Sequence, residues 1–308
     1  MADIGIVIVT YNSAAEIGCC LDAALGSGAD VVVVDNNSSD NTRAEVKRYQ
    51  GVTFIANAHN QGFAAAVNQG FTVLNSPCVL VLNPDAVLIS DLAPLREACD
   101  LPYAAGAGGL LLGAEGRPQI GFMARQLPTP AALILEVLLL NKACPNNPVN
   151  RRYRGLGFEY TSRFEVEQPA GAFLMIRREV WEELGGFDES FHPLWFEDVD
   201  FCRRAIDRGL RFYFEPRAVA KHTGAHSIGS LSLENRRFYW YRSLLKYSAK
   251  HFRPMAFRGV CLAVATGSVL RGVMQTVLER SFRPTAGYAN VVRLAGRCLW
   301  LGREAMRS

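Results

Sequence analysis

The sequence predicts an α/β fold in which a mainly parallel β-sheet is flanked by helices and followed by a basic, helical tail. Three observations carry this expectation. Short runs dominated by apolar and β-branched residues recur at Ile4–Val9, Val31–Val34, Val52–Ala56 and Val79–Leu82, the pattern of strands covered on both faces. Segments with helical spacing, Ala14–Leu25, Asp40–Gln50 and Gly62–Leu74, separate those runs and supply the crossovers that parallel strands need. Charge then divides the chain: residues 235–308 hold 14 Lys/Arg against 2 Asp/Glu, and residues 1–234 hold 19 against 27. The tail is therefore +12 and the body −8, summing to the formal net charge of +4.

With 308 residues, 49% of them hydrophobic and 20% charged, the chain can bury a substantial core, and general disorder is excluded. No basic stretch precedes the first apolar run, which is too short for the core of a signal peptide and reads as the first strand. The body is thus expected in the cytoplasm. Cys19 and Cys20 are adjacent, and the other six cysteines are scattered without C-x-x-C spacing, so reduced thiols are expected and zinc clusters are not. A basic tail on an acidic body points to a polyanionic partner.

Residues 101–168 are less regular. The glycine-rich stretch from Gly106 to Gly116 reads as a strand, and the segment through Asn150 as a mobile region containing the apolar run Ala131–Leu140. Regular structure returns with a strand at Ala172–Ile176, a helix at Arg178–Leu184, a turn at Gly185-Gly186, a helix at Glu197–Arg208 and a strand at Arg211–Glu215. In the tail, Asn235–Phe252 reads as a basic, aromatic helix, and Met255–Leu278 follows it. The longest uncharged run there, Gly259–Leu270, is bracketed by Arg258 and Arg271. It falls short of the roughly 20 residues a membrane span needs and suits an interfacial or docked helix.

Ligands of open α/β sheets bind at the carboxyl ends of the strands, where this sequence places Thr10, Asn12, Asp35, Asn60, Asn83 and Asp85. The first turn, Thr10 to Ala15, contains no glycine, which disfavours a dinucleotide fold with its G-x-G-x-x-G turn. Each remaining feature has a bland alternative. Asn12 or Ser13 can cap the following helix, Asp35 can cap a turn, and Asn83-Pro84-Asp85 is good turn chemistry. The acids Glu197, Asp198 and Asp200 favour the amino end of a helix, although three in four residues is denser than capping needs.

Taken together, the segments Val7-Ile8-Val9-Thr10-Tyr11-Asn12-Ser13, Val34-Asp35-Asn36-Asn37-Ser38-Ser39-Asp40, Asn60-Gln61-Gly62-Phe63, Leu82-Asn83-Pro84-Asp85, Gly185-Gly186-Phe187-Asp188 and Glu197-Asp198-Val199-Asp200, with His222 beyond them, resemble the family 2 glycosyltransferases. The likeness is greatest to their bacterial rhamnosyltransferase-like branch. It extends over about residues 4–250, and the tail after Phe252 matches no motif.

The resemblance implies a GT-A fold and an inverting, metal-dependent transfer from a nucleotide-sugar, with dTDP-rhamnose as the first expectation for the donor. It divides residues 1–234 into a nucleotide-sugar half (1–100) and an acceptor half (101–234), with 235–308 as the tail. Thr10, Tyr11, Asn12, Asp35 and Asn60 are expected at the nucleotide, and the amino end of the helix at Gly62 is suited to phosphate oxygens. Asp85 and His222 are expected to hold Mg²⁺ or Mn²⁺, with His226 as the rival. Asn83 departs from the commoner Asp and is expected to touch sugar or ribose. Gly171 and Ala172 are placed beside the donor sugar. Asp198 is expected as catalytic base, with Trp195, Glu197 and Asp200 on the acceptor side. The implied acceptor is a cell-envelope glycan or a polyprenyl-linked sugar, met at an anionic membrane surface.

Two other functions compete. A basic aromatic tail can stack single-stranded nucleic acid, but no nucleic-acid module is visible, and nucleic acid is not an expected partner. A nucleotidyltransferase would need basic residues in its first loop, and Thr10–Glu16 has none.

Overall fold

The computed structural model describes residues 2–224, 232–279 and 283–306. His226 lies outside them. The chain divides into two compact units. The first comprises residues 1–127, 154–193 and 197–230; the second comprises 128–153, 194–196 and 231–308. The tail thus shares its unit with a segment that the sequence assigned to the acceptor half.

In the first unit, strands β1 (Ile4–Thr10), β2 (Asp30–Asp35), β3 (Val52–Ala56) and β4 (Cys78–Leu82) pair in parallel. The later strands are β5 (Ala86–Leu88), β6 (Ala104–Leu112), β7 (Ala124–Arg125), β8 (Phe164–Val166), β9 (Gln168–Pro169), β10 (Phe173–Arg177) and β11 (Arg211–His222). Among the described residues the main sheet runs β3-β2-β1-β4-β10-β6-β11-β5, with β8 paired to β11, and β7 and β9 form a separate small ladder. β10 is antiparallel to both β4 and β6, whereas β6 and β11 are parallel. The carboxyl ends of β1, β2, β3, β4, β6 and β11 therefore share one edge, and β10 begins there.

Three of the four apolar runs bury as expected, since Ile6, Val7 and Ile8 on β1, Val31 to Val34 on β2 and Val79 to Leu82 on β4 are all inside. Burying each such side chain stabilises the fold by roughly 1.5–3 kcal/mol. Val52–Ala56 does not bury in this way, because β3 is the edge strand and leaves Thr53 and Ala56 exposed. The glycines of β6 have a packing reason. A Cβ on Gly109 would lie 2.3 Å from the Phe173 ring and 2.5 Å from the Ala218 carbonyl, so only glycine lets those neighbours approach.

Three expectations are revised. The helix read at Asp40–Gln50 is only Thr42–Val46, because the Asp40 carboxylate accepts from the Thr42 and Ala14 amides and holds its own residue in the loop. The strand read at Arg211–Glu215 continues to His222. Pro216 signals an end, but the structure absorbs it as a register shift between Glu215 and Val219. Residues 128–153, read as mobile, fold into helices Pro130–Val137, Leu140–Ala143 and Pro148–Tyr153, the first capped by Thr129, whose Oγ1 accepts from the Ala132 amide.

The second unit adds helices Leu233–His251, Pro254–Glu279 and Arg283–Leu301. Gly267 lets the middle one close on residue 137: a Cβ there would sit 2.3 Å from the Val137 carbonyl oxygen. That helix is longer than its uncharged core suggests. Its segment Pro254–Leu278 is long and apolar enough to cross a bilayer, although 39% of its most apolar window is buried. Arg271 does not mark a solvent-facing end of the run. Its guanidinium donates to the Tyr241 hydroxyl and, at 3.0 Å, to the Glu136 carbonyl.

Candidate active site

At the carboxyl edge, β1 and β2 end in a closed polar network. Thr10 and Asp35 are both fully buried. The Thr10 hydroxyl donates to Asp35 Oδ1 at 3.1 Å. The Ser38 hydroxyl donates to the same oxygen, and the Ser38 amide and Arg43 Nε donate to Oδ2 at 3.1 and 2.6 Å. Both carboxylate oxygens are thus engaged, and Asp35 shapes the loop around it. Asn12, in a left-handed conformation at φ 53°, accepts from the Ser39 amide at 2.8 Å and donates its own amide to Ser38 Oγ. Tyr11 lies between these two residues and is half-buried.

Asn36, which the sequence reading did not single out, is the hub of the next layer. Its Nδ2 donates to Asn60 Oδ1 and to the Gly62 carbonyl, and its Oδ1 accepts from Asn57 and from the Gln61 amide. Asn60 is therefore a brace for its loop. The amino end of helix Phe63–Val73 is not an open phosphate cradle. The Phe63 amide donates to the Pro193 carbonyl at 2.7 Å, and a Cβ on Gly62 would meet His192 at 2.8 Å. Asn68 on that helix clamps Phe187, donating to its carbonyl and accepting from its amide, both at 3.0 Å.

β5 and β11 bring Asp85 and His222 together, since His222 pairs in register with Ala86. Asp85 Oδ1 lies 3.4 Å from His222 Nε2, and both side chains are buried. Asn83 Nδ2 is also 3.4 Å from Nε2. On the other side of the ring, Gln119 donates its Nε2 to the His222 carbonyl and places its Oε1 3.0 Å from Nδ1. The Nδ1 side of the ring is thus held by Gln119, and Nε2 is turned toward Asp85 Oδ1. Burial pushes the Asp85 carboxyl up, but the hydrogen bond and charge of His222 outweigh it and hold the group below the usual Asp range. Among the described residues no further His, Cys, Asp or Glu joins the pair to make a three-residue metal cluster.

Asp198 stands in the first turn of helix Glu197–Ile206. Its carboxylate accepts from the Gly171 amide at 3.0 Å and from its neighbour Val199 at 2.8 Å. A Cβ on residue 171 would lie 3.0 Å from Oδ2, so Gly171 serves the carboxylate directly. Burial raises the Asp198 pKa above the usual range, despite these two amides and the charge of Arg125. Ala172, next along, accepts from the Asn83 amide at 3.0 Å. One backbone path thus runs from the Asp85 loop through Ala172 and Gly171 to Asp198.

Glu197 is buried, its Oε2 has no hydrogen-bond partner, and burial followed by the Asp198 and Asp200 charges drives its pKa well up. Asp200 is fully buried in an ion pair with Arg204 at 2.8 Å, and Arg204 in turn donates to the Leu184 and Gly186 carbonyls. Trp195 and Phe196, just before the helix, have φ of 76° and 71°. Such conformations are costly for bulky residues and concentrate at functional sites.

The sequence reading also missed Gln119, Phe122 and Arg125. The Phe122 ring stacks on the His222 imidazole, with centroids 5.5 Å apart and planes 4° from parallel, and the Arg125 guanidinium lies 5.6 Å from the same ring. No local signal marks these residues. Their loop follows β6 without periodicity, and only tertiary pairing brings them to β11.

The Glycosyl transferase family 2 profile matches residues 5–126, and the Glycosyltransferase like family 2 profile matches residues 156–243. The chain is 28% identical over 276 residues to the N-acetylglucosaminyl-diphospho-decaprenol L-rhamnosyltransferase of Mycobacterium tuberculosis, covering 80% of this chain and 88% of that protein. It is also 28% identical over 212 residues to the low-salt glycan biosynthesis hexosyltransferase Agl10 of Haloferax volcanii, covering 66% and 61% respectively. Among solved structures, the mannosyltransferase PcManGT of Pyrobaculum calidifontis in complex with GDP-Man and Mn²⁺ superposes with a TM-score of 0.53 at 16% identity, over 97% of this chain and 88% of that one. GalNAc-T7 with UDP, GalNAc and Mn²⁺ gives 0.54 at 16% identity, over 80% and 49%. These likenesses show the GT-A fold. Two family matches in chain order, carried on that fold and on the sheet edge where the motifs converge, place this chain in glycosyltransferase family 2.

Proposed function

We propose that this glycosyltransferase moves a sugar, with inversion, from a nucleotide donor to a lipid-linked acceptor of the cell envelope, and that the sugar is rhamnose carried as dTDP-rhamnose. The observation that supports this most is the backbone path from Asn83 through Ala172 and Gly171 to Asp198. It fixes a carboxylate of raised proton affinity relative to the loop that carries Asp85.

The donor nucleotide lies over the ends of β1 and β2, where Tyr11 offers a ring and the Asp35–Ser38–Arg43 network keeps the loop shape. Ala172 and Gly171 leave backbone room beside the sugar, and Asn83 offers an amide. Asp198 takes the proton of the acceptor hydroxyl as its oxygen bonds to the anomeric carbon. The bond from that carbon to the diphosphate breaks on the opposite face, and the nucleotide diphosphate leaves. Glu197 stands next to Asp198, with burial and the neighbouring Asp198 and Asp200 charges pushing the Glu197 pKa well up.

Asp85 Oδ1 and His222 Nε2 would hold a divalent cation, Mg²⁺ or Mn²⁺. The donor set fits: a carboxylate oxygen and an imidazole nitrogen stand 3.4 Å apart, with the ring held from behind by Gln119. Such an ion supplies charge neutralisation for the leaving diphosphate. The similarity to a rhamnosyltransferase whose name specifies a diphospho-decaprenol acceptor supports a polyprenyl-linked partner. The basic tail supports peripheral attachment to the cytoplasmic face of an anionic membrane.

A donor screen tests the reading. The protein is incubated with a panel of nucleotide-sugars and Mg²⁺ or Mn²⁺, and nucleotide release is measured. Turnover of dTDP-rhamnose above all others is expected; preference for another nucleotide-sugar overturns the donor assignment, and no turnover of any of them overturns the reading.

A further inference from the structure

Helix Pro254–Glu279 presents an apolar face to solvent. Met255, Leu262, Leu270, Val273, Val277 and Leu278 are between 56% and 77% exposed. From Leu262 to Leu278 every exposed position is uncharged, and Thr266 is the one polar residue among them. Seventeen residues of helix make a strip about 24 Å long, a feature that soluble monomers seldom leave uncovered. The opposite face is filled: Phe257, Val260, Cys261 and Val264 are buried in the second unit.

We propose that this face lies in the plane of an anionic lipid bilayer, with its apolar side chains in the acyl boundary and the helix parallel to the surface. This deepens the peripheral-membrane reading above and rests on it, naming the face and the mode of attachment. Charge decides the occupant. Residues 235–308 hold 14 basic and 2 acidic residues, so two copies meeting face to face would bring like charge together, whereas anionic headgroups attract it.

The packing decides the mode. Helix Arg283–Leu301 lies against helix Pro254–Glu279 and carries Arg293 and Arg297 on exposed positions. A spanning arrangement would draw those two arginines, together with the half-buried Arg271, into hydrocarbon. An in-plane arrangement leaves long basic side chains at the headgroups. Trp300, at the end of helix Arg283–Leu301, is 87% exposed, as suits an interfacial indole.

The experiment is vesicle sedimentation of the full chain, using phosphatidylglycerol–phosphatidylcholine mixtures and pure phosphatidylcholine. Binding to the anionic vesicles is expected, weakening with salt, and release into alkaline carbonate is expected as well. Leu262→Glu with Val273→Glu should lower vesicle affinity by about 10-fold or more while leaving the thermal unfolding midpoint and donor hydrolysis unchanged. Leu270→Gln with Val277→Gln, a milder exposed pair, should do the same if the first pair misfolds. Three results overturn the proposal: no binding at low salt, retention after carbonate extraction, or a dimer that the Glu pair dissociates without any vesicle binding. Donor hydrolysis is read on the same samples, so an unsubstituted chain that hydrolyses donor but does not bind anionic vesicles at low salt refutes the surface and leaves the enzyme reading standing.

Discussion

The Gly171 amide donates to Asp198 Oδ2 at 3.0 Å, and the space where a Cβ would stand on residue 171 is filled by that same carboxylate. Asp198 is therefore positioned by a residue 27 places earlier in the chain, at the point where β10 begins beside the end of β4. The relationship makes the aim of this carboxylate, the proposed base, depend on the absence of a side chain. Gly171→Ala pushes the carboxylate aside by a few tenths of an ångström or more. Turnover should fall by about 10- to 100-fold through misorientation, with the donor KM little changed. Steady-state kinetics on a well-folded variant checks this, and wild-type turnover would remove Gly171 from the positioning role.

Asp198→Asn keeps the size of the side chain and an oxygen for the Gly171 amide, but it removes the proton acceptor. Transfer should drop by roughly 10²–10⁴-fold, and donor binding, measured by calorimetry, should stay near wild type. If Glu197→Gln abolishes transfer and Asp198→Asn does not, the base is the neighbouring carboxylate.

The raised Asp198 pKa sets a pH dependence. The base works ionised, so kcat/KM should climb with pH through an ionisation above the usual Asp range and fall off on its acidic side. Burial is the main cause of the rise, and the Arg125 charge opposes it. Arg125→Met removes that opposition and should move the acidic limb to higher pH, while Arg125→Lys should restore it. A limb that stays in place in Arg125→Met rules out electrostatic coupling between the two.

Asp200 illustrates where sequence and structure part. Three acids in four residues read alike along the chain, and only the fold separates the proposed base, a buried neighbour without a partner on Oε2 and a buried ion pair. Asp200→Asn leaves Arg204 without its charge partner, and breaking a buried pair costs about 3–5 kcal/mol. Urea denaturation should show a loss of that order, whereas an acceptor ligand would show a raised acceptor KM at unchanged stability.

The parallel core was legible because Ile4–Val9, Val31–Val34 and Val79–Leu82 are apolar on both faces, and few other structures bury both sides of a short run. The edge residues Thr10, Asp35, Asn83, Asp85 and His222 were legible because strand ends and motif order place them. The Asn36 hub was half legible, since it follows Asp35 in a polar run, but its partners Asn57 and Asn60 come from another crossover. The segment Gly113–Arg125 was not legible at all. Its bonds to β11 span 103 residues between Gln119 and His222, and no local periodicity encodes them. The partners of Arg271 were illegible for the same reason: the Tyr241 hydroxyl and the Glu136 carbonyl reach it only through the fold.

Gln119 supplies the most specific test of the cation site. It grips His222 at two points, through the backbone carbonyl at 2.9 Å and through Nδ1 at 3.0 Å. The second contact holds the ring with Nε2 turned toward Asp85. Outer partners of this kind, when removed, weaken metal affinity by about 10–100-fold without deleting a ligand. Gln119→Leu should therefore raise the Mn²⁺ or Mg²⁺ concentration needed for half-maximal turnover by about that factor, with turnover at saturating metal close to wild type. Asp85→Ala removes a direct ligand and should abolish turnover at every metal concentration, as EDTA should do reversibly to the wild type. Metal titrations of the three proteins distinguish the roles. Full activity in EDTA after thorough metal removal would leave Asp85 and His222 as a buried structural pair, with Gln119 as its brace.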